Sequence, residues 1–266
     1  MSDNRLKQLM PARRKKPSLE IVIITFIFIA LFVLGVMGAE ITLARIFKGF
    51  DNIGNFLMRA FPPDFSKVNS VVKSVFETLQ MAVVGTVFGV ILSLPIALLG
   101  AKNTAPSKIL ANISRGIVIV SRTIPDLVFA LIFVITVGLG SFAGILTIMI
   151  DTVGFCGRFF MERIEELDPG PIQALESTGA SRFGVTAGAI MPMTFPSFVG
   201  TSLFALEKSI RGASVLGLVG AGGIGIELNT AMNLRRYDSA LMIILVILIV
   251  VLIFEKVSRS LRERIM

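Results

Sequence analysis

Long apolar runs recur along this chain of 266 residues, and they restrict its possible folds more than any other feature. An α-helix needs about 20 mostly apolar residues to cross the hydrocarbon core of a bilayer. Six stretches of the sequence satisfy that requirement. Hydrophobic residues make up 54% of the chain and charged residues only 17%, below the roughly 25% of soluble domains. The sequence therefore predicts an all-α polytopic membrane protein with six transmembrane helices, and it excludes a disordered chain.

The polar residues around the apolar stretches leave two points open. The stretches cover 19–39, 75–101, 109–140, 142–161, 187–206 and 239–257. The first follows a basic run, as in a secretory signal peptide, but its length and the later spans favour an anchor helix. The third is too long for one straight span and contains Arg122, Pro125 and Asp126. It is either one helix that kinks at Pro125 or an interfacial helix, ending near Arg122, that precedes a short span.

Basic residues at both ends of the chain indicate its orientation. Six spans put both termini on one side, and the positive-inside bias makes that side the cytoplasm. The loops at 40–74 and 207–238 then fall outside. The predicted organisation is a basic cytoplasmic tail at 1–18, an additional N-terminal transmembrane helix at 19–40, an extracytoplasmic segment at 41–74, a transmembrane core at 75–258 that includes a cytoplasmic helix at 171–182, and a cytoplasmic tail at 259–266.

The residue inventory excludes several classes of site. The sequence has no histidine, so Ser-His-Asp triads and His-ligated metals are excluded, and no metal site or catalytic residue is predicted. Cys156 is the only cysteine and cannot form an internal disulfide. The net charge of +8 is distributed beside the apolar runs, which indicates loop orientation rather than nucleic-acid binding.

The segment between the fourth and fifth spans predicts a short cytoplasmic helix. Pro169-Gly170-Pro171 is typical of a helix start, and Gly179 can end the helix that follows. Its surface is rich in small residues, which would let another backbone approach closely. From spacing alone, a helix that docks into a partner and a loop that merely reorients the chain are equally good readings.

The spacing within this segment produces a resemblance. Gln173-Ala174-Leu175, three residues, Gly179, nine residues and then Ala189-Ile190-Met191-Pro192 resembles the EAA motif of ABC importer permeases. The spacing matches in full, although Gln173 replaces the usual Glu and Leu175 the second Ala. The runs 122–125 and 211–225 are similar to segments of methionine-importer-like and phosphonate permeases. From about residue 55 to the C-terminus, the chain resembles a phosphonate ABC transporter permease.

The resemblance implies a type I ABC importer permease fold in a bacterial cytoplasmic (inner) membrane. It implies a non-catalytic subunit that works with a second copy of itself, a cytoplasmic ABC ATPase dimer and an extracytoplasmic phosphonate-binding protein. ATP and Mg²⁺ would be bound by the ATPase, and this chain would hold no cofactor. The residues implied in ATPase coupling are Gln173, Ala174, Leu175, Glu176, Gly179, Ala180, Ser181, Arg182 and Pro192.

The glycine run near residue 220 also contains the pattern G-x-G-x-x-G. In a dinucleotide site that pattern follows a strand within a βαβ unit, whereas here it follows a membrane span. The sequence has no Walker-type phosphate loop either, so ATP hydrolysis would need another polypeptide. The run is interpreted as a gate or passage element, with a compact outer turn as an equal alternative. Its predicted residues are Gly220, Gly222, Gly223 and Gly225.

Ionisable residues at membrane depth indicate a polar path by default, because each costs at least about 2.5–3.5 kcal/mol near a helix centre. The candidates are Arg122, Asp126, Arg158, Glu207 and Arg211. The alternative is structural ion pairing. Arg122 and Asp126 are four residues apart and could pair on one helix face if the helix continues past Pro125. Arg158 has the strongest functional claim because it lies within the fourth span.

Two rival functions remain open at this point. An ion-coupled secondary transporter of a small anion would be complete in one chain and predicts inverted repeats, which the sequence does not clearly show. A membrane anchor or assembly factor would leave the full motif spacing from Gln173 to Pro192 without a role. Within the importer interpretation, phosphite, phosphate or another small anion could replace phosphonate as the substrate.

Overall fold

The computed structural model describes residues 18–40 and 42–265, and most of the predicted basic tail at 1–18 lies outside these residues. The described part of the chain is helical, with short turns and no strand. Its helices are α1 Leu19–Gly38, α2 Leu43–Ala60, α3 Val68–Gly100, α4 Lys108–Thr123, α5 Asp126–Val137, α6 Ser141–Glu165, α7 Pro169–Ser177, α8 Arg182–Val219, α9 Ile224–Asn233 and α10 Tyr237–Ile265.

The chain divides into two compact units, the first ending at Met58 and the second beginning at Arg59. In the first unit, α1 is apolar on all sides after Glu20, and its side chains are almost all exposed, as expected for a helix surrounded by lipid. α2 is amphipathic instead, with Phe47 and Phe50 among its exposed apolar side chains. The predicted extracytoplasmic segment at 41–74 thus contains a helix that the sequence analysis missed, of the kind that lies along a membrane surface.

The second unit is built around α3 and α6, which approach closely because small residues line their contact. A Cβ added at Gly85 would lie 2.7 Å from Ile148, and Gly89 faces Thr152 in the same way one turn further on. The two contacts advance together along both helices, so α3 and α6 run in the same direction. Close approach through small residues is the usual basis of helix association in membranes.

The third predicted span is broken at Pro125. Its two helices, α4 and α5, meet at an angle of 95° because Pro125 holds Ile124 in an extended conformation. α4 packs against α6, with Val118 facing Gly157 and Ser121 facing Gly154, so it runs antiparallel to α6. The helix does not continue past Pro125, and the one-face pairing of Arg122 with Asp126 that the sequence allowed does not occur.

The fifth span is much longer than the sequence predicted. α8 runs from Arg182 to Val219 and contains a π-turn at Thr186–Ile190, which ends two residues before Pro192. The expectation that 207–238 is an outer loop is therefore wrong at its beginning, because Glu207 and Arg211 belong to the membrane helix. Small and β-branched residues keep the pattern apolar enough for the helix to extend past 206.

Five helices of the described part are long and apolar enough to cross a membrane: α1, α3, α6, α8 and α10. The bent pair of α4 and α5 meets the same test when both are counted together. Six spans result, and the predicted all-α, six-span fold class is confirmed.

Candidate functional site

The short helix α7 is set between α6 and α8 by local signals in its sequence. The Asp168 carboxylate caps it by accepting a hydrogen bond from the Gly170 N–H at 3.0 Å. Pro169 occupies the first helical position, where a missing N–H has no consequence. The helix ends at Ser177, and Gly179 follows with φ +80°, a conformation that favours glycine.

The structure corrects the extent of the helix predicted at 171–182. Residues 178–181 form a turn, and Ser181 caps the next helix by accepting from the Gly184 N–H at 3.2 Å. Ala180 lies in that turn and Arg182 is the first residue of α8. The motif from Gln173 to Pro192 therefore covers α7, a turn and the first two turns of α8.

One face of α7 is anchored and the other is open. Ile172 and Leu175 pack against the core cluster that contains Phe160 and Ile164. Leu175 also approaches the π-turn of α8, where a Cβ at Gly188 would lie 3.5 Å from its Cδ1. The other side chains of the helix are exposed, namely Gln173, Ala174, Glu176 and Ser177.

Sequence reasoning missed Phe183, which lies immediately beyond this turn. Its side chain is 82% exposed at the start of α8, next to the open face of α7. A large aromatic residue in a polar segment directly after a Ser cap could have indicated it. α7 and Phe183 together present small, polar and aromatic groups in one place, a composition that suits a protein partner.

The glycine run lies at the opposite end of the bundle and forms a tight turn. Gly220, Gly222 and Gly223 have φ values of +86°, +89° and +74°. A Cβ at Gly222 would lie 2.8 Å from the backbone of Ser141, and Gly225 packs against the carbonyl oxygen of Ser214. A side chain at Gly222 or Gly225 would displace backbone atoms, and the positive φ values favour glycine at Gly220, Gly222 and Gly223.

Hydrogen bonds join this turn to the third turn of α3 and to the start of α6. The Ile224 N–H donates to Thr78 Oγ1 at 2.8 Å, and Ser141 Oγ donates to Glu77 Oε1 at 2.8 Å. The Gly140 N–H donates to the Gly220 carbonyl at 3.0 Å. The geometry is that of a compact, packed turn, and a role of these glycines in passage stays a prediction.

Asp64 makes a further polar contact near this end of the bundle, before α3 begins. The Ser66 N–H and Ser66 Oγ both donate to its carboxylate at 2.9 Å, which lowers the pKa of Asp64 because the charged form accepts both bonds. The Asp64 N–H also donates to the Asp238 carbonyl at 3.4 Å, linking the segment before α3 to the first turn of α10.

The predicted path residues are distributed over several helices. Arg158 pairs with Glu162, one turn further along α6, so its charge is matched locally. Arg122 ends α4 near Gly154, whereas Asp126 begins α5 beyond the bend and interacts with Asp151 of α6. The structure therefore gives Asp126 a neighbour on α6 in place of Arg122.

Glu207 is the most buried of these candidates, with 8% of its side chain exposed. Its two oxygens accept from Arg211 Nη2 at 2.8 Å and from Arg262 Nη2 at 3.2 Å. Arg211 is on the same helix, and Arg262 comes from the last turns of α10. The structure brings Glu207 and Arg211 together, and it adds Arg262, which the sequence analysis had placed in the cytoplasmic tail.

A second ion pair was missed entirely. Lys208 Nζ donates to both oxygens of Asp151, at 2.6 and 2.8 Å, and so joins α8 to α6. Both residues lie within predicted spans or directly after them, and no motif marks either of them. Spacing cannot reveal a pair that is 57 residues apart in sequence.

No group of three or more Asp, Glu, His or Cys side chains that could hold a metal is found among residues 18–40 and 42–265. The polar groups available at either end of the bundle are hydrogen-bond donors, carboxylates and cations. The arrangement can bind a partner at α7 and can present charge at membrane depth.

Comparison with known proteins decides the family. The family described as binding-protein-dependent transport system inner membrane component matches residues 85–265, which include α7, the glycine turn and both ion pairs. The chain belongs to this family. It is therefore a multi-pass inner membrane permease component of an ABC transporter, a non-catalytic subunit of a system that depends on a binding protein and an ATPase.

Individual members of the transport family align along much of the chain. The phosphite transport system permease protein PtxC of Stutzerimonas stutzeri is 33% identical over 242 residues, covering 91% of this chain and 86% of PtxC. The phosphate-import permease protein PhnE of Mycolicibacterium smegmatis is 35% identical over 218 residues, which are 82% of this chain and 41% of PhnE. A chain of the inward-facing MetNI methionine ABC transporter superposes with a TM-score of 0.67 at 20% identity, covering 76% of this permease and 99% of that chain.

Proposed function

We propose that this permease carries phosphorus oxyanions, with phosphonate, phosphite and phosphate as the candidate substrates, into the cytoplasm in an ATP-driven importer. The names of its relatives PtxC and PhnE support that class of substrate. A phosphonate-type binding protein would deliver the substrate at the outer face.

The observation that carries the proposal of an ATP-driven importer is the open face of α7. An exposed helix of small and polar residues, held on the core by Ile172 and Leu175, is suited to a groove on a partner protein. That partner is a cytoplasmic ABC ATPase, and a dimer of it would bind ATP and Mg²⁺. Two copies of the permease would each present one α7 to one ATPase.

The packing of α7 suggests how motion would be transmitted. Leu175 contacts the π-turn of α8, and the side chains of α7 share a core cluster with Phe160 and Ile164 of α6. A displacement of α7 by the closing ATPases would therefore move the cytoplasmic ends of α6 and α8 together. Such rigid movement of packed helices is an established way of switching a pathway from inward to outward access.

Reconstitution of the permease with its ATPase and binding protein in liposomes tests the substrate class. We expect ATP-dependent accumulation of at least one of phosphite, phosphate and methylphosphonate, and no accumulation of sulfate. Uptake driven by an ion gradient without the ATPase would support the secondary transporter instead. ATP-driven uptake of other solutes alone would contradict the substrate class.

Docking is tested in the same liposomes with a substitution on the open face. Ala174 is exposed, so Ala174→Arg disturbs nothing within the chain but would obstruct a partner's groove. We expect uptake to fall by tenfold or more, about 1.4 kcal/mol of lost coupling. Asn112→Arg, an exposed position on α4, is the matched control and should transport normally. Normal uptake by both variants would contradict the docking role of α7.

A further inference from the structure

The helix α2 carries its large apolar side chains on one face. Successive residues of an α-helix are about 100° apart, so residues three, four and seven positions apart share a face. The apolar residues of α2 follow this spacing and occupy an arc of about 140°. Their side chains are exposed, and they include Ile46, Phe47, Phe50, Ile53 and Leu57. A continuous apolar surface of this kind requires a partner or an apolar phase.

The opposite face of α2 is polar and basic. It carries Arg45, Lys48, Asn52, Asn55 and Arg59. Asp51 is the one acidic residue in the sequence of this helix, so the basic residues outnumber it. The phosphate groups of phospholipids have the complementary charge, and Lys and Arg on the polar face are typical of helices that lie at a membrane surface.

Both ends of α2 are held near one membrane surface. Only residues 39–42 separate its first residue from the end of α1, which is a span. At its other end, the Asp64 N–H donates to the Asp238 carbonyl in the first turn of α10, which is also a span. Because α1 and α3 are successive spans, the segment between them begins and ends on the same side of the bilayer.

The lengths of these connections determine how α2 lies. Four residues lead from Ala60 to Asp64 and reach at most about 14 Å, and residues 39–42 reach about 17 Å. The 18 residues of α2 make a helix about 27 Å long, which exceeds both distances. An upright helix would lift one end beyond the reach of its connection, so α2 lies along the membrane surface.

In that position, the apolar face of α2 meets lipid. The neighbouring helix α1 has almost all of its side chains exposed, as expected where lipid surrounds a helix. Ala60 is the only buried residue within Leu43–Ala60, so the apolar face is open to the same lipid.

We propose that α2 is an in-plane helix on the extracytoplasmic leaflet and that its partner is the phospholipid surface. Phe47, Phe50 and Ile53 lie at the boundary between acyl chains and headgroups, whereas Lys48 and Arg59 face headgroup phosphates and water. The helix thereby fixes the level at which the chain passes from its first span to the transmembrane core. This role is independent of the solute that the permease carries.

Tryptophan fluorescence of the full-length permease in liposomes tests the proposal, because the sequence contains no tryptophan. Phe50→Trp puts a single indole on the apolar face, and Asn52→Trp is the matched control on the polar face. Both parent side chains are exposed, so neither variant disturbs packing. We expect Phe50→Trp to emit at the shorter wavelength and to lose about half or more of its fluorescence to phospholipids with brominated acyl chains. Asn52→Trp should instead be quenched by aqueous acrylamide.

Two results would overturn the proposal. Equal quenching of both variants by acrylamide, without an effect of brominated lipid, would show that the apolar face is open to water. Protection of Phe50→Trp from both quenchers would show that protein covers this face, either another part of the chain or a second copy of it.

A charge on the apolar face gives a second test. In the Phe47→Trp variant, Phe50→Glu should weaken quenching by brominated lipid severalfold and strengthen quenching by acrylamide, because a carboxylate resists entry into the acyl region. Asn52→Glu in the same Phe47→Trp variant is the matched control and should change neither. Quenching by brominated lipid that persists after Phe50→Glu would contradict a lipid-bound apolar face.

Discussion

Charged side chains within the spans have partners that differ from those the sequence suggested. Arg122 and Asp126 are close in sequence, yet the bend at Pro125 places them on different helices. Glu207 instead accepts hydrogen bonds from two arginines, one of which is 55 residues away in sequence. Burying a carboxylate in this environment is tolerable only because both of its oxygens accept hydrogen bonds from cations.

Removal of the Glu207 carboxylate should destabilise the folded protein. Glu207→Ala leaves Arg262 without its carboxylate partner in a largely buried position, and we expect a loss of about 2–3 kcal/mol in the free energy of unfolding. Thermal unfolding of the purified permease in detergent measures this loss of stability. Glu255→Gln breaks an exposed pair and should change stability by less than about 0.5 kcal/mol. Equal effects of the two variants would contradict a structural role for Glu207.

At the scale of the element, α7 shows how strongly the stability of a short helix depends on the residues at its ends. Nine residues form too short a helix to be stable alone, so its cap and its two anchored side chains must hold it. Its presence could be predicted from Pro169-Gly170-Pro171 and Gly179, but the predicted bounds of 171–182 differ at both ends from the observed Pro169–Ser177. The length of α8 could not be predicted, because its polar residues resemble a loop in the sequence. Their partners on α6 and α10 are visible only in the structure.

Loss of the cap should loosen α7 while leaving the spans unchanged. Asp168→Ala removes the bond from the Gly170 N–H, and we expect about 1 kcal/mol less protection of the α7 amides. Hydrogen exchange of a peptide that covers Pro169–Ser177 measures this change. Asp168→Asn keeps a capping oxygen and serves as the control, which should retain most of the protection. Unchanged exchange in the Ala variant would show that anchoring alone holds the helix.

At the scale of the whole molecule, helix directions constrain the topology. α3 and α6 run in the same direction, and α4 runs against α6, which is the alternation that successive spans require. α7 and the glycine turn lie at opposite ends of this arrangement. The positive-inside bias predicts that α7 lies in the cytoplasm and that the glycine turn lies outside.

Single cysteines should report this orientation. In a Cys156→Ala background, Leu139→Cys places an exposed thiol beside the glycine turn, and Phe183→Cys places one beside α7. We expect a membrane-impermeant maleimide to label only Leu139→Cys in intact cells, and to label both after permeabilisation. The reverse pattern would invert the orientation, and labelling of both in intact cells would contradict the six-span topology.

The sequence by itself determined the membrane class, the number of spans and the position of the motif from Gln173 to Pro192. These properties depend on local composition and spacing, because a bilayer requires a run of apolar residues and a helix end requires particular residue types. Only the tertiary structure shows that the bend at Pro125 is a full break in the helix, how the glycine turn packs, and that Lys208 pairs with Asp151. Those features join residues that are distant in sequence, and in a membrane their partners are fixed by which helix faces meet, which no local pattern records.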